Sequence, residues 1–296
     1  MTGTEAVFVK IDIILPCAKD LHFRDRKSAI HGCGMPSLRL LETLMEGLNP
    51  STREYVTAIN PLRTRNHDAR WLRKRYKALR RAALRGNGEA LNDLGWIFFN
   101  ELCYPANQGL AETLFELATV TGSRGEAWFN LAQQALTEPV HLVDSVKKAA
   151  CFYRLAEAHG MGCAGTQLGH LYLGAEGHDV DVEQARKWYL RGAESGDSEA
   201  AYHLGVLLLD PSQPVHDKGN AVYWLQSAAL GDEQQAIACL RDFYESEEGT
   251  RLDPEGRLLA FWAEHAERVY GQHLDPDNEL PWWPYKLIKE NKNEHL

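Results

Sequence analysis

An internal period constrains this chain more than any other feature. The pattern Ala-x-x-x-Leu followed by a small residue begins at Ala90 (ALNDLG), Ala127 (AWFNLA), Ala164 (AGTQLG) and Ala200 (AAYHLG). A decayed copy begins at Ala236 (AIACLR), and the successive steps are 37, 37, 36 and 36 residues. A second pattern interleaves with the first: Ala, a bulky residue three further on, then Gly. It reads Ala111/Leu114/Gly122, Ala149/Phe152/Gly160, Ala185/Trp188/Gly196 and Ala221/Trp224/Gly231. A fixed period of this length marks a stack of similar units rather than one closed core.

The physics of one unit follows from helical geometry. Ala and Leu four apart share one helical face, and the small residue beside Leu marks a place where another backbone comes close. The bulky residue fills the space between helices. Gly122, Gly160, Gly196 and Gly231 then stop the second helix, each suited to the left-handed cap conformation. A lone helix pair cannot bury its apolar face, so neighbouring pairs must stack. The expected fold is all-α, a right-handed α-solenoid of about five helix pairs.

At these residues the chain resembles the Sel-one-like repeat (SLR) proteins, a branch of the tetratricopeptide-like helical repeats. Their unit runs A-x-x-x-L-G-x-x-Y-x-x-G, a loop, then A-x-x-W-x-x-x-A-A-x-x-G. Ala164, Leu168, Gly169, Tyr172, Gly174, Ala185, Trp188, Ala193 and Gly196 match one unit nearly in full. Ala200, Leu204, Gly205, Ala221, Trp224, Ala228, Ala229 and Gly231 match the next. Elsewhere Ala132 and Arg241 replace the Gly, and Leu114 and Phe152 replace the Trp. The resemblance implies a non-catalytic module that binds a protein partner through its concave face. It covers adaptors in signalling and envelope biogenesis, and immunity or accessory proteins encoded beside secreted toxins. Cysteine-rich members pair two cysteines within each repeat. The six cysteines here have no such spacing, and reduced thiols are expected.

Three parts are expected: a non-repeat region over 1–68, the solenoid over 69–271 and a capping tail over 272–296. In the first part, Val7, Val9, Ile11, Ile13 and Leu15 alternate as in a strand or extended arm. Ser37–Leu48 reads as an amphipathic helix, and Ser51-Thr52-Arg53-Glu54 as a capping box. Asp68 is placed to cap a helix from Ala69 to Arg85, and Leu258–Tyr270 reads as the last repeat helix. In the tail, the PWWPY run from Pro281 to Tyr285 is suited to cover the open solenoid end, with a docking peptide as the alternative. No apolar run approaches the ~20 residues of a bilayer span, and Lys10 and Asp12 interrupt the first one. A cytoplasmic protein is therefore expected.

Chemistry is sparse. No phosphate-binding loop, dinucleotide fingerprint, H-E-x-x-H or nucleophile elbow occurs. Cys17, His22, His31 and Cys33 gather four potential ligands in a short span, but their spacing matches no zinc motif. His178-Asp179-x-Asp181 reads as a solvated loop. No catalytic residue, metal or cofactor is expected, and the competing enzymatic reading is confined to residues 1–68. Charge is unevenly spread: residues 1–86 carry 17 basic and 8 acidic side chains, while the remainder carries 15 and 33. The basic patch Arg73, Lys74, Lys77, Arg80 and Arg81 is thus expected to meet an acidic protein or the acidic body itself. A body of net −18 argues against nucleic acid. For the groove, positions two before and two after the repeat Leu fall opposite the core stripe. They place Asn92, Trp96, Phe129, Gln133, Thr166, His170, Tyr202 and Val206 along an open stripe, with Trp96, Phe129, His170 and Tyr202 at its centre, a stripe buried as core being the alternative.

Overall fold

The computed structural model describes residues 14–23, 69–105, 107–137, 142–174 and 180–270. Twelve helices lie among them: α1 (Ala69–Ala83), α2 (Gly88–Phe99), α3 (Gln108–Thr121), α4 (Arg124–Thr137), α5 (Leu142–Ala158) and α6 (Cys163–Gly174) come first. They are followed by α7 (Val182–Glu194), α8 (Ser198–Leu209), α9 (Lys218–Leu230), α10 (Gln234–Glu245), α11 (Glu247–Leu252) and α12 (Arg257–Tyr270). The chain forms an all-α, right-handed solenoid of stacked helix pairs. The Ala-x-x-x-Leu helices α2, α4, α6, α8 and α10 make one layer, here called A; α3, α5, α7, α9 and α12 make the second, B.

Helix starts follow their caps. Asn87, Asn107, Asp181 and Asp217 each accept a backbone N–H three residues on, and Asp197 accepts that of Glu199. At the other ends Gly122, Gly160 and Gly196 are left-handed, with φ of 131°, 88° and 92°. Gly231 departs from the expectation: its φ is −88°, and Asp232 takes the left-handed position at φ 63°. The helix ends in the same register as α7, the left-handed residue lying two past its end in both, so Gly231 stands one residue early and Asp232 takes the position, an Asp tolerating the conformation better than most side chains.

In the three units that carry glycine, the small residue makes room chiefly for a side chain. A Cβ at Gly95, Gly169 or Gly205 would overlap Phe115, Tyr189 or Leu225 respectively. Those three residues directly follow the expected bulky position of the paired helix. They are fully buried, whereas Phe152 and Trp224 at the bulky position are half-buried. Leu168 and Leu204 are buried as the repeat requires.

The N-terminal residues add a cover. Leu15, Ala18 and Leu21 join Leu72 and Tyr76 of α1 in the core. Strand β1 (His22–Phe23) pairs antiparallel with β2 (Cys103–Tyr104), His22 opposite Tyr104 and Phe23 opposite Cys103. Of the expected arm over residues 7–15 only the end is described, and it is not a strand. The alternation persists there as burial, Ile14 at 93% exposure and Leu15 at 3%. The helix over 37–48, the capping box at 51–54, His31, Cys33, the 178–179 loop and the PWWPY run lie outside the described residues. No described helix is long and apolar enough to cross a membrane.

Candidate functional site

Five of the seven residues expected to carry partner binding are buried: Asn92, Trp96, Phe129, His170 and Tyr202. Gln133 and Val206 are half-buried, and Thr166 of the same stripe is buried. The expectation of an open aromatic stripe is corrected by how the A helices meet. α2 touches α4 and α6 touches α8, so positions flanking the repeat Leu face a neighbouring helix rather than solvent. Asn130 of α4 donates to Asn92 of α2 at 2.8 Å. The Phe129 ring stands edge-on to Tyr153 of α5, and Tyr202 of α8 hydrogen-bonds Cys239 of α10. The stripe opens only at the far end, where Ala238 and Asp242 of α10 are exposed.

The basic patch divides in two. Arg80 donates twice to the Leu15 carbonyl, at 3.0 and 3.2 Å, and Arg73 donates to the Leu21 carbonyl at 3.3 Å. Tyr76 adds a bond to the Pro16 carbonyl at 2.9 Å. These side chains hold the N-terminal segment against α1. Lys74, Lys77 and Arg81 are exposed, and Lys77 and Arg81 border a cleft of about 590 Å³ with Cys17, Ala18 and Lys19. The five described cysteines are free thiols, Cys103 and Cys163 among them buried.

The densest chemistry lies between α6 and α8. Glu199, in the first turn of α8, stands one turn before His203, and both meet His170 of α6. Glu199 Oε1 is 4.0 Å from His170 Nε2 and 3.9 Å from His203 Nε2. The His170 and His203 rings meet edge to face with centroids 4.5 Å apart, and Tyr189 of α7 stacks on His203. The Tyr189 hydroxyl and His170 Nδ1 are hydrogen-bonded at 2.6 Å. Burial pushes both imidazoles down to about 3, so both are neutral near pH 7. Beside them, Asp197 receives a 2.5 Å bond from Thr166, and its carboxyl is pushed up to about 7, first by burial and then by the charge of Glu199. Glu233 is raised to about 7 for the same two reasons in the same order. Neutral imidazoles and crowded carboxyls form a site suited to a cation or a donor-rich ligand.

Sequence reasoning placed His170 on this face but missed Glu199, His203, Asp197 and Glu233. The signal was present as Glu-x-x-x-His, two side chains one helical turn apart. Of the metal candidates recognised from sequence, Cys17 and His22 are exposed.

Residues 88–119, 166–197 and 198–233 match the Sel1 repeat family. A Sel1 repeat protein from Oxalobacter formigenes superposes with a TM-score of 0.56 at 20% identity, covering 78% of this chain and 86% of that one. A protective antigen present in uropathogenic Escherichia coli strains, displaying an SLR fold, gives 0.54 at 21% identity, with 65% and 40% covered. At such identities the likeness concerns the fold. An uncharacterized protein of Neisseria meningitidis serogroup B is 34% identical over 48% of this chain, and the match spans only 32% of that protein's length.

Proposed function

Because the chain is a Sel1-repeat protein, we propose that it is a non-catalytic cytoplasmic module that holds one protein partner against its A-helix face. Sel1 repeats serve as protein-interaction modules, and the surface is where this chain's own specificity must lie. The observation that carries the reading is the opening of the A layer toward its C-terminal end. Gln133, His203 and Val206 are half-buried there or before it, and Ala238 and Asp242 are exposed. A body of net −18 favours a partner with a basic contact surface. The partner proposed is a secreted toxin or effector, which a compact acidic solenoid neutralises by occupying its surface.

The buried residues Asn92, Trp96, Phe129, His170 and Tyr202 act in this reading by shaping the face, and Gln133 and Val206 by touching the partner. The test is co-expression with the product of a neighbouring effector gene, followed by affinity measurement with Gln133→Arg, Val206→Asp and Asp242→Lys. Each should weaken binding about tenfold or more while leaving the melting temperature near that of the parent. Unchanged affinity in all three would move the contact off the A layer. A neighbouring kinase or polysaccharide operon, with no effector bound, would replace neutralisation by an adaptor role.

A further inference from the structure

We propose that His170, Glu199 and His203 form a binding site for a first-row divalent metal ion, with zinc the best match. The three donor atoms lie within 4.8 Å of one another. Two imidazoles and one carboxylate are a donor set of open zinc and non-haem iron sites, whereas magnesium and calcium take shells dominated by oxygen. Zinc bonds of about 2.0–2.2 Å place tetrahedral ligands roughly 3.4 Å apart, so on loading Glu199 closes on each imidazole by about 0.5 Å and the imidazoles on each other by up to about 1.4 Å. Glu199 is the most exposed of the three, with a side chain 40% exposed against 3% for His170 and 12% for His203. Its exposure also gives the ion a way in.

The surroundings fit the role. With His170 Nδ1–H donating to the Tyr189 hydroxyl, the Nε2 lone pair faces Glu199 and the site, the outer-shell arrangement that fixes ligating imidazoles. Asp197 and Glu233 bring two further carboxyl groups close to Glu199. Among the described residues Glu199 makes its ion pairs with the two imidazoles and with no Lys or Arg. Three protein ligands leave a fourth position for water or an exogenous donor. The site spans two repeats, with His170 on α6 and the other ligands on α8; it lies in the A layer proposed to hold the partner, and zinc uptake is read without any partner present.

Zinc chloride titrated calorimetrically into the full chain, stripped beforehand with a chelator, should show one ion bound per chain and a raised melting temperature. Glu199→Gln and His203→Ala should weaken affinity ~100-fold, and Tyr189→Phe ~10-fold. A Cys17→Ser/Cys33→Ser double variant should bind as the parent does. Glu199→Gln is the deciding variant, since its exposed side chain can change with little effect on metal-free melting. The proposal falls if the parent takes up no zinc, if Glu199→Gln binds with parental affinity, or if the cysteine double variant abolishes uptake.

Discussion

Trp96 shows how one residue's role turns on its neighbours. Its position in the repeat places it opposite the core stripe, yet it is 3% exposed. Trp96→Ala should therefore behave as a core truncation, costing about 3–5 kcal/mol in denaturant unfolding. A melt like the parent's would restore the open stripe. Gly169 makes the complementary case. A Cβ there overlaps the Tyr189 ring, so Gly169→Ala should destabilise by about 1–3 kcal/mol, with Tyr189→Leu in the same chain recovering part of the loss. Glu233 gives a pH signature. Its folded value of about 7 exceeds the ordinary 4.5, so folding is unpenalised below pH 4.5 and progressively loses stability as pH rises through 7. Glu199 and Asp197 are the charges facing it. Glu233→Gln should gain up to about 3 kcal/mol over the parent at pH 8 and nothing at pH 4. The two imidazoles lose stability in the opposite direction, as pH falls from 6.5 toward 3, in both proteins. The difference between parent and variant isolates the carboxyl.

At the scale of elements, the repeat helices were legible because their signals are local: Ala-x-x-x-Leu on one face of the first helix and glycine after the second, while the side-chain caps Asn87, Asn107, Asp181, Asp197 and Asp217 were found only in the structure. Two element-level facts were not legible. The pairing of His22–Phe23 with Cys103–Tyr104 joins segments eighty residues apart, each too short to alternate. The cation cluster joins α6 to α8 through contact between A helices, and neither helix carries the whole donor set. The open stripe failed for the same reason, since helical spacing assigns a face but not what covers it. The basic helix α1 was legible as amphipathic, while its use was not. Arg80 and Tyr76 close on backbone carbonyls, which carry no side-chain signature. Arg80→Ala with Tyr76→Phe should release residues 14–21 to limited proteolysis with the repeat helices still intact. Protection equal to the parent's would show that Leu15, Ala18 and Leu21 hold the segment without those bonds.

Across the whole molecule, the apolar core is two clusters rather than one. The first runs from Leu15 through Leu171 and Trp188, and the second from Ala185 through Ala266, with Tyr172 packed against both. Their seam falls where Thr166, His170, Asp197, Glu199 and His203 replace apolar contact with polar groups. A solenoid's stability is a sum of unit terms and nearest-neighbour interfaces, so its weakest interface sets where it opens first. Buried carboxyls held as acids contribute little cohesion, and α6–α8 is therefore the expected fracture plane. Native-state hydrogen exchange on the metal-stripped protein should resolve two cooperative units, residues 69–171 and 185–266, with distinct opening free energies. Because His170 lies on α6, whose Leu168 and Leu171 belong to the first cluster, and Glu199 and His203 lie on α8, whose apolar residues belong to the second, an ion bound to all three ties the units together. Zinc should raise the lower opening free energy toward the higher and leave the higher nearly unchanged. A single cooperative unit before metal is added would mean that the A–B contacts of α6 with α7 and of α7 with α8 bridge the seam unaided.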